Sequence, residues 1–292
     1  MKTAKNIYRI VLALAFGLAA TVEGQNIFVG SYGNNTIGEY GLDGSTVNAS
    51  LIPSAVPEGI AISGNNLFVA NAGANTVGEY TTSGTPVSTS LISGLNDPYG
   101  LAISGNDVFV ANAGANTIGE YTTSGTPVST ALISGLNDPV GVAISGNDLF
   151  VANFATGTIG EYTTSGTLVN ASLISGLNYP WDIAISGNDL FVANGGGGTI
   201  GEYTTTGTPV DTSLISGLAD PIGIAISGND LFVANYQNGT IGEYTTGGAP
   251  INSSLISGLD QPDFLTVVPE PSTLPLMGLA TAALLLPRRF LQ

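Results

Sequence analysis

From Asn26 to Val268 the chain is a succession of short apolar runs separated by turns rich in Gly, Asn, Asp, Ser and Thr. In Gly59-Ile60-Ala61-Ile62-Ser63, Ile60 and Ile62 fall on one face and the small residues on the other, the period-two pattern of a strand. Leu67-Phe68-Val69-Ala70 is apolar on both faces, which predicts a strand covered from two sides. Between two such runs, Ser104-Gly105-Asn106-Asp107 supplies the residues of a tight hairpin. A third strand is predicted over Thr-Ile-Gly-Glu-Tyr, and a fourth near Leu-Ile-Ser, after a Thr-Thr-Ser-Gly turn.

The same order of strands returns with Glu39, Glu79, Glu120, Glu161, Glu202 and Glu243 of the Glu-Tyr pairs. The first step is 40 residues and each later step is 41. Four strands in a repeat of that length form one blade of a β-propeller. Six copies therefore predict an all-β, six-bladed propeller of four-stranded blades, here called a to d from the axis outwards. The first copy begins at its strand b (Ile27–Gly30), and the last is followed by a lone strand a, Phe264–Val268. Pairing the two would complete the first blade and remove the open edges.

Charge narrows the partners. The chain has 21 acidic and 5 basic residues, and the basic ones (Lys2, Lys5, Arg9, Arg288 and Arg289) all lie at the ends. Setting aside Glu23 and Glu270 leaves 19 carboxylates in the repeats, with no Lys, Arg or His among them. Such a surface repels nucleic acid and attracts cations, and it favours a monomer. Cysteine is absent as well, so nucleophilic triads, Schiff bases and phosphate clamps have no residues to build them.

Both ends carry sorting patterns. Residues 1–24 read as a signal peptide: a basic start, the apolar run Ile10–Ala20 and small residues before Gln25. Residues 25–268 form the propeller, and residues 269–292 a separate tail. In that tail Pro269-Glu270-Pro271 precedes the apolar run Leu274–Pro287 and the pair Arg288-Arg289. As a helix the run would rise about 21 Å, short of the ~30 Å hydrocarbon core. The tail resembles the PEP-CTERM sorting signal of Gram-negative bacteria that make exopolysaccharide. That resemblance implies a short C-terminal hydrophobic helix held transiently in the inner membrane with the propeller outside the cytoplasm. It also implies processing by an exosortase and a final place in the cell envelope or outside the cell.

With strands running up and down in turn, the d–a and b–c loops share one face of the propeller. On that face the copies differ. The residue after each repeat proline is Glu58, Tyr99, Val140, Trp181, Ile222 or Asp263, around the axial mouth. Tyr32, Tyr99, Phe154, Trp181 and Tyr236 offer aromatic faces to a sugar ring. Glu58, Asp182 and Asp263 offer oxygen ligands to a hard cation such as Ca²⁺. Asp182 stands where four other copies have glycine.

The P-x-G-I-A, L-F-V-A-N and N-T-I-G-E-Y segments resemble NHL-type repeats, particularly those of streptogramin lyases. Lyases of that class rely on a histidine base, which is missing here. The gluconolactonase class of six-bladed propellers uses a divalent metal instead. These residues lead us to expect a non-catalytic binding or structural module associated with exopolysaccharide or another surface glycan, with no cofactor. A Ca²⁺-dependent, lactonase-like hydrolase with its site in the axial channel is the alternative.

Overall fold

In the computed structural model, which describes residues 25–53 and 56–268, six four-stranded antiparallel sheets surround one axis. Five sheets each use four consecutive strands. The sixth is made from both ends of the propeller: Pro262–Val267 lies beside Asn26–Ser31, followed by Thr36–Gly41 and Thr46–Pro53. Ile27 faces Val267 and Val29 faces Leu265, and the Val268 N–H donates to the Asn26 carbonyl at 3.0 Å. The predicted closure is therefore present. The innermost strands touch in ring order, with Pro262–Val267 between Pro221–Ser227 and Pro57–Ser63.

Packing between blades follows from strand b. Its residues are buried on both faces in every copy, and one phenylalanine per blade (Phe28, Phe68, Phe109, Phe150, Phe191, Phe232) is almost fully enclosed. Phe68 and Ala70 of one blade pack with Val108 and Val110 of the next, while Leu67 and Val69 meet Phe28 of the blade before. Each seam thus sets a large residue against a smaller one, and each buried phenylalanine contributes about 1.5–3 kcal/mol.

At the axis the backbones approach closely, and in four of the six copies only glycine leaves room. A Cβ on Gly141 would lie 2.5 Å from the Trp181 carbonyl oxygen, and one on Gly223 equally close to that of Asp263. This crowding fixes the ring of residues that follow the repeat prolines.

Strand d is longer than its apolar signature predicts. In the second blade it covers Pro86–Ser93, bent by register shifts against strand c, and most of its residues are exposed. Among the described residues no helix is long and apolar enough to cross a membrane. The expected signal peptide, C-terminal helix and sorting residues Pro269, Glu270, Pro271, Arg288 and Arg289 lie outside the described residues.

Candidate functional site

Around the mouth the residues after the repeat prolines run in the order Glu58, Tyr99, Val140, Trp181, Ile222, Asp263, and then back to Glu58. This order divides the mouth in two. Tyr99 and Trp181 flank Val140, which is buried beneath them, and their rings stand 6.2 Å apart. On the other side Asp263 and Glu58 are neighbours, brought together only by the closing strand.

The aromatic half is built where loops of two neighbouring blades meet. Phe154 lies 4.6 Å from Trp181 and stacks on Tyr179 at 4.8 Å, with their planes 20° apart. The Gly195–Gly198 segment passes beside them because only glycine leaves room. A Cβ on Gly195 would come within 2.7 Å of Trp181 Cδ1, and one on Gly196 within 2.6 Å of Tyr179 Cδ2. A surface hollow of about 520 Å³ results, lined by Phe154, Tyr179, Trp181, the four glycines, Leu218, Asp220 and Gln237. A hollow of similar size against the outer strands is lined by hydroxyls, amides and apolar groups but no carboxylate.

Tyr179 was missed at the sequence level. It precedes a repeat proline, where Asp97, Asp138 and Asp220 stand in three other copies, and all four adopt a left-handed backbone with φ of 52 to 57°. Aspartate tolerates that region, whereas a bulky tyrosine there is an outlier of the kind found at ligand clamps. The departure from Asp was the available signal. The other two expected aromatics, Tyr32 and Tyr236, stand 6.5 Å apart and form a separate pair, with Tyr32 exposed.

The acidic half consists of two buried carboxyls. Glu58 and Asp263 are 5 % and 4 % exposed and lie close enough to interact directly, one accepting from the other when that one is protonated. Burial pushes Glu58 up to about 7, and Asp263 rises well above the usual carboxylate range through burial and then the charge of Glu58. Asp263 Oδ1 has no hydrogen-bond partner. Tyr99 and Tyr236 are also raised, chiefly by burial, with contributions from the charges of Glu58 and Asp263.

Asp182 belongs to a different arrangement. Its Oδ1 accepts from the Ile183 N–H at 2.9 Å, and its Oδ2 accepts from the Ile224 N–H of the next blade at 3.1 Å. Burial nonetheless raises it to about 7. Of the three carboxylates expected as metal ligands, only Glu58 and Asp263 meet directly. Among the described residues no group of three His, Cys, Asp or Glu could hold a metal ion.

Residues 17–245 match the family described as Virginiamycin B lyase. The chain belongs to that family. No match was found among the curated proteins. Among solved structures, the propeller is similar to a chain of a nidogen/laminin complex, with a TM-score of 0.72 at 16 % identity over 84 % of this chain and 98 % of that one. It is also similar to a virginiamycin B lyase from Staphylococcus aureus, with a TM-score of 0.58 at 23 % identity over 71 % and 73 % of the two chains. A catalytically inactive form of that lyase with quinupristin gives 0.61 at 21 % over 82 % and 87 %. At these identities the structures show the fold.

Family membership corrects one expectation. The lack of His, Lys, Arg and Cys led us to expect no catalysis, yet the matched family is named for a lyase and lyases are among the solved relatives. The inventory of residue types overlooked burial. A carboxyl raised to about 7, as Glu58 is, exchanges protons near neutral pH without any histidine.

Proposed function

We propose that the protein is exported, sorted through its tail by an exosortase, and held in the cell envelope or outside the cell, where the mouth binds exopolysaccharide or another surface glycan. The observation that carries the binding step is the cluster of Phe154, Tyr179 and Trp181 beside the four-glycine loop, three packed aromatic rings that line a hollow of about 520 Å³. Sugar rings present apolar faces to such clusters, and a left-handed Tyr179 is an arrangement that needs support from its surroundings. The export and sorting steps are supported by the sequence patterns of residues 1–24 and 269–292.

The test is calorimetric titration of the purified protein with exopolysaccharide from the producing cells. Trp181→Ala should weaken binding at least about tenfold, equivalent to ~1.4 kcal/mol, because it removes the largest ring of the cluster. Equal binding by the variant would rule out this site.

A further inference from the structure

We propose that the mouth selects a sugar bearing a protonated amine, a hexosamine unit without its N-acetyl group, with the ring against the aromatic half and the ammonium against the Glu58–Asp263 pair. The ring contact rests on the glycan reading above; the charge requirement has separate grounds.

Three observations carry the charge requirement. First, the aromatic and acidic halves form one mouth, since Tyr99 directly follows Glu58 in the ring and feels the charges of both Glu58 and Asp263. A ring resting on Tyr99 therefore has the carboxyl pair at its side. Second, Asp263 Oδ1 is buried without a partner in a residue only 4 % exposed. A buried carboxyl oxygen left so is costly unless a ligand donates to it. Third, residues 25–268 contain no Lys, Arg or His, so the protein cannot supply a cation to this pair. Without a ligand a retained proton relieves the pair, and a ligand's cation would take that proton's place.

The same facts exclude other sugars. Uronates and sulfated sugars would add negative charge beside Glu58, Asp263 and the nearby Asp97 and Asp182. An N-acetylated hexosamine would present a neutral amide, with one donor and no charge to displace the proton held by the pair. An ammonium supplies three donors and the charge, and it also interacts favourably with the faces of tyrosine and tryptophan.

Trp181 is the only tryptophan, so its fluorescence reports on the mouth directly. We would titrate the protein at neutral pH with the tetramer of glucosamine and, separately, the tetramer of N-acetylglucosamine. The expected result is a saturable change in fluorescence with glucosamine and binding at least about tenfold weaker with the acetylated tetramer. Asp263→Asn should remove that difference, and Glu58→Gln provides a second variant should the first fail to fold. Equal affinity for the two tetramers would overturn the charge requirement and leave the glycan reading intact. Glucosamine binding that leaves Trp181 fluorescence unchanged, or survives in both variants, would mean diffuse attraction to the acidic surface and would also overturn it. If neither tetramer binds while the native exopolysaccharide does, the amine proposal fails on its own.

Discussion

Single residues at the mouth depart from the repeat, and Asp182 shows what one departure does. Its carboxyl ties two blades together by accepting the N–H groups of Ile183 and Ile224, and burial lifts it from its ordinary value to about 7. A raised carboxyl means that the folded state holds the proton more tightly than the unfolded chain. Its contribution is therefore greatest below the unfolded value near 4 and is lost as pH rises through about 7. Glu58 and Asp263 act in the same direction. The protein should melt at a higher temperature at pH 5 than at pH 8. Asp182→Asn should lower stability at pH 5 by about 1–3 kcal/mol, because the amide can accept only one of the two N–H groups through its oxygen. At pH 8 the gap should shrink. Melting curves of the two proteins that stay parallel from pH 5 to 8 would show that Asp182 does not titrate in this range. Residues of this kind were only partly legible. The departure of Asp182 from glycine was visible, but its use as a backbone acceptor was not, since the donor Ile224 lies in another blade. The pairing of Glu58 with Asp263 was equally hidden, because residues near opposite ends of the propeller meet only once the ring is closed.

At the level of the blade, legibility followed burial. Strands a, b and c carry apolar residues because neighbouring blades cover them, and the sequence marks them clearly. Strand d is marked only at its Leu-Ile-Ser end, where Ile92 is buried; Val87 and its equivalents on the same strand are exposed. An outer strand without a covered face has no alternation to read. The blades also differ at the first residue of strand b. In the first two copies an asparagine donates across the b–c pair, Asn26 to Glu39 at 2.6 Å and Asn66 to Glu79 at 2.8 Å. In the other four an aspartate occupies that place, and Glu120, Glu161, Glu202 and Glu243 are each raised by burial and by the diagonally placed Asp107, Asp148, Asp189 or Asp230. Like charges across a strand pair are destabilising, while a hydrogen bond to a charged group stabilises. Asp107→Asn should therefore stabilise the fold by about 0.5–1 kcal/mol after allowing for exposure, a rise of ~1–4 °C in Tm. Calorimetric scans of the wild type and this variant test it; an unchanged or lower Tm would mean that the two carboxylates already avoid each other or are bridged by a cation.

For the whole molecule, closure decides whether the blades form a ring at all. Six copies of one unit could stack into an open arc, and the repeat alone does not forbid it. Moving one innermost strand to the far end of the chain does, because neither end then has a complete blade. Pro262–Val267 supplies the missing strand and buries Phe264, Leu265 and Val267, each less than a tenth exposed. At about 1.5–3 kcal/mol for each large apolar side chain, its packing matches the ~5–15 kcal/mol net stability of an ordinary domain. The strand also positions Asp263, so one device completes the fold and brings the acidic half of the mouth together. Deleting Phe264–Val268 should consequently do more than lower Tm. It leaves Asn26–Ser31 as a hydrophobic edge without its partner, and such edges pair with other chains. The expected products are a protein without a cooperative melt or an oligomer joined through that edge, distinguishable by circular dichroism and light scattering. A graded control, Leu265→Ala, should keep the monomer and lower stability by roughly 2–5 kcal/mol. A deletion variant that stays monomeric and melts like the wild type would mean that the ring is held by the seams between blades alone, and that the closing strand serves only to place Asp263.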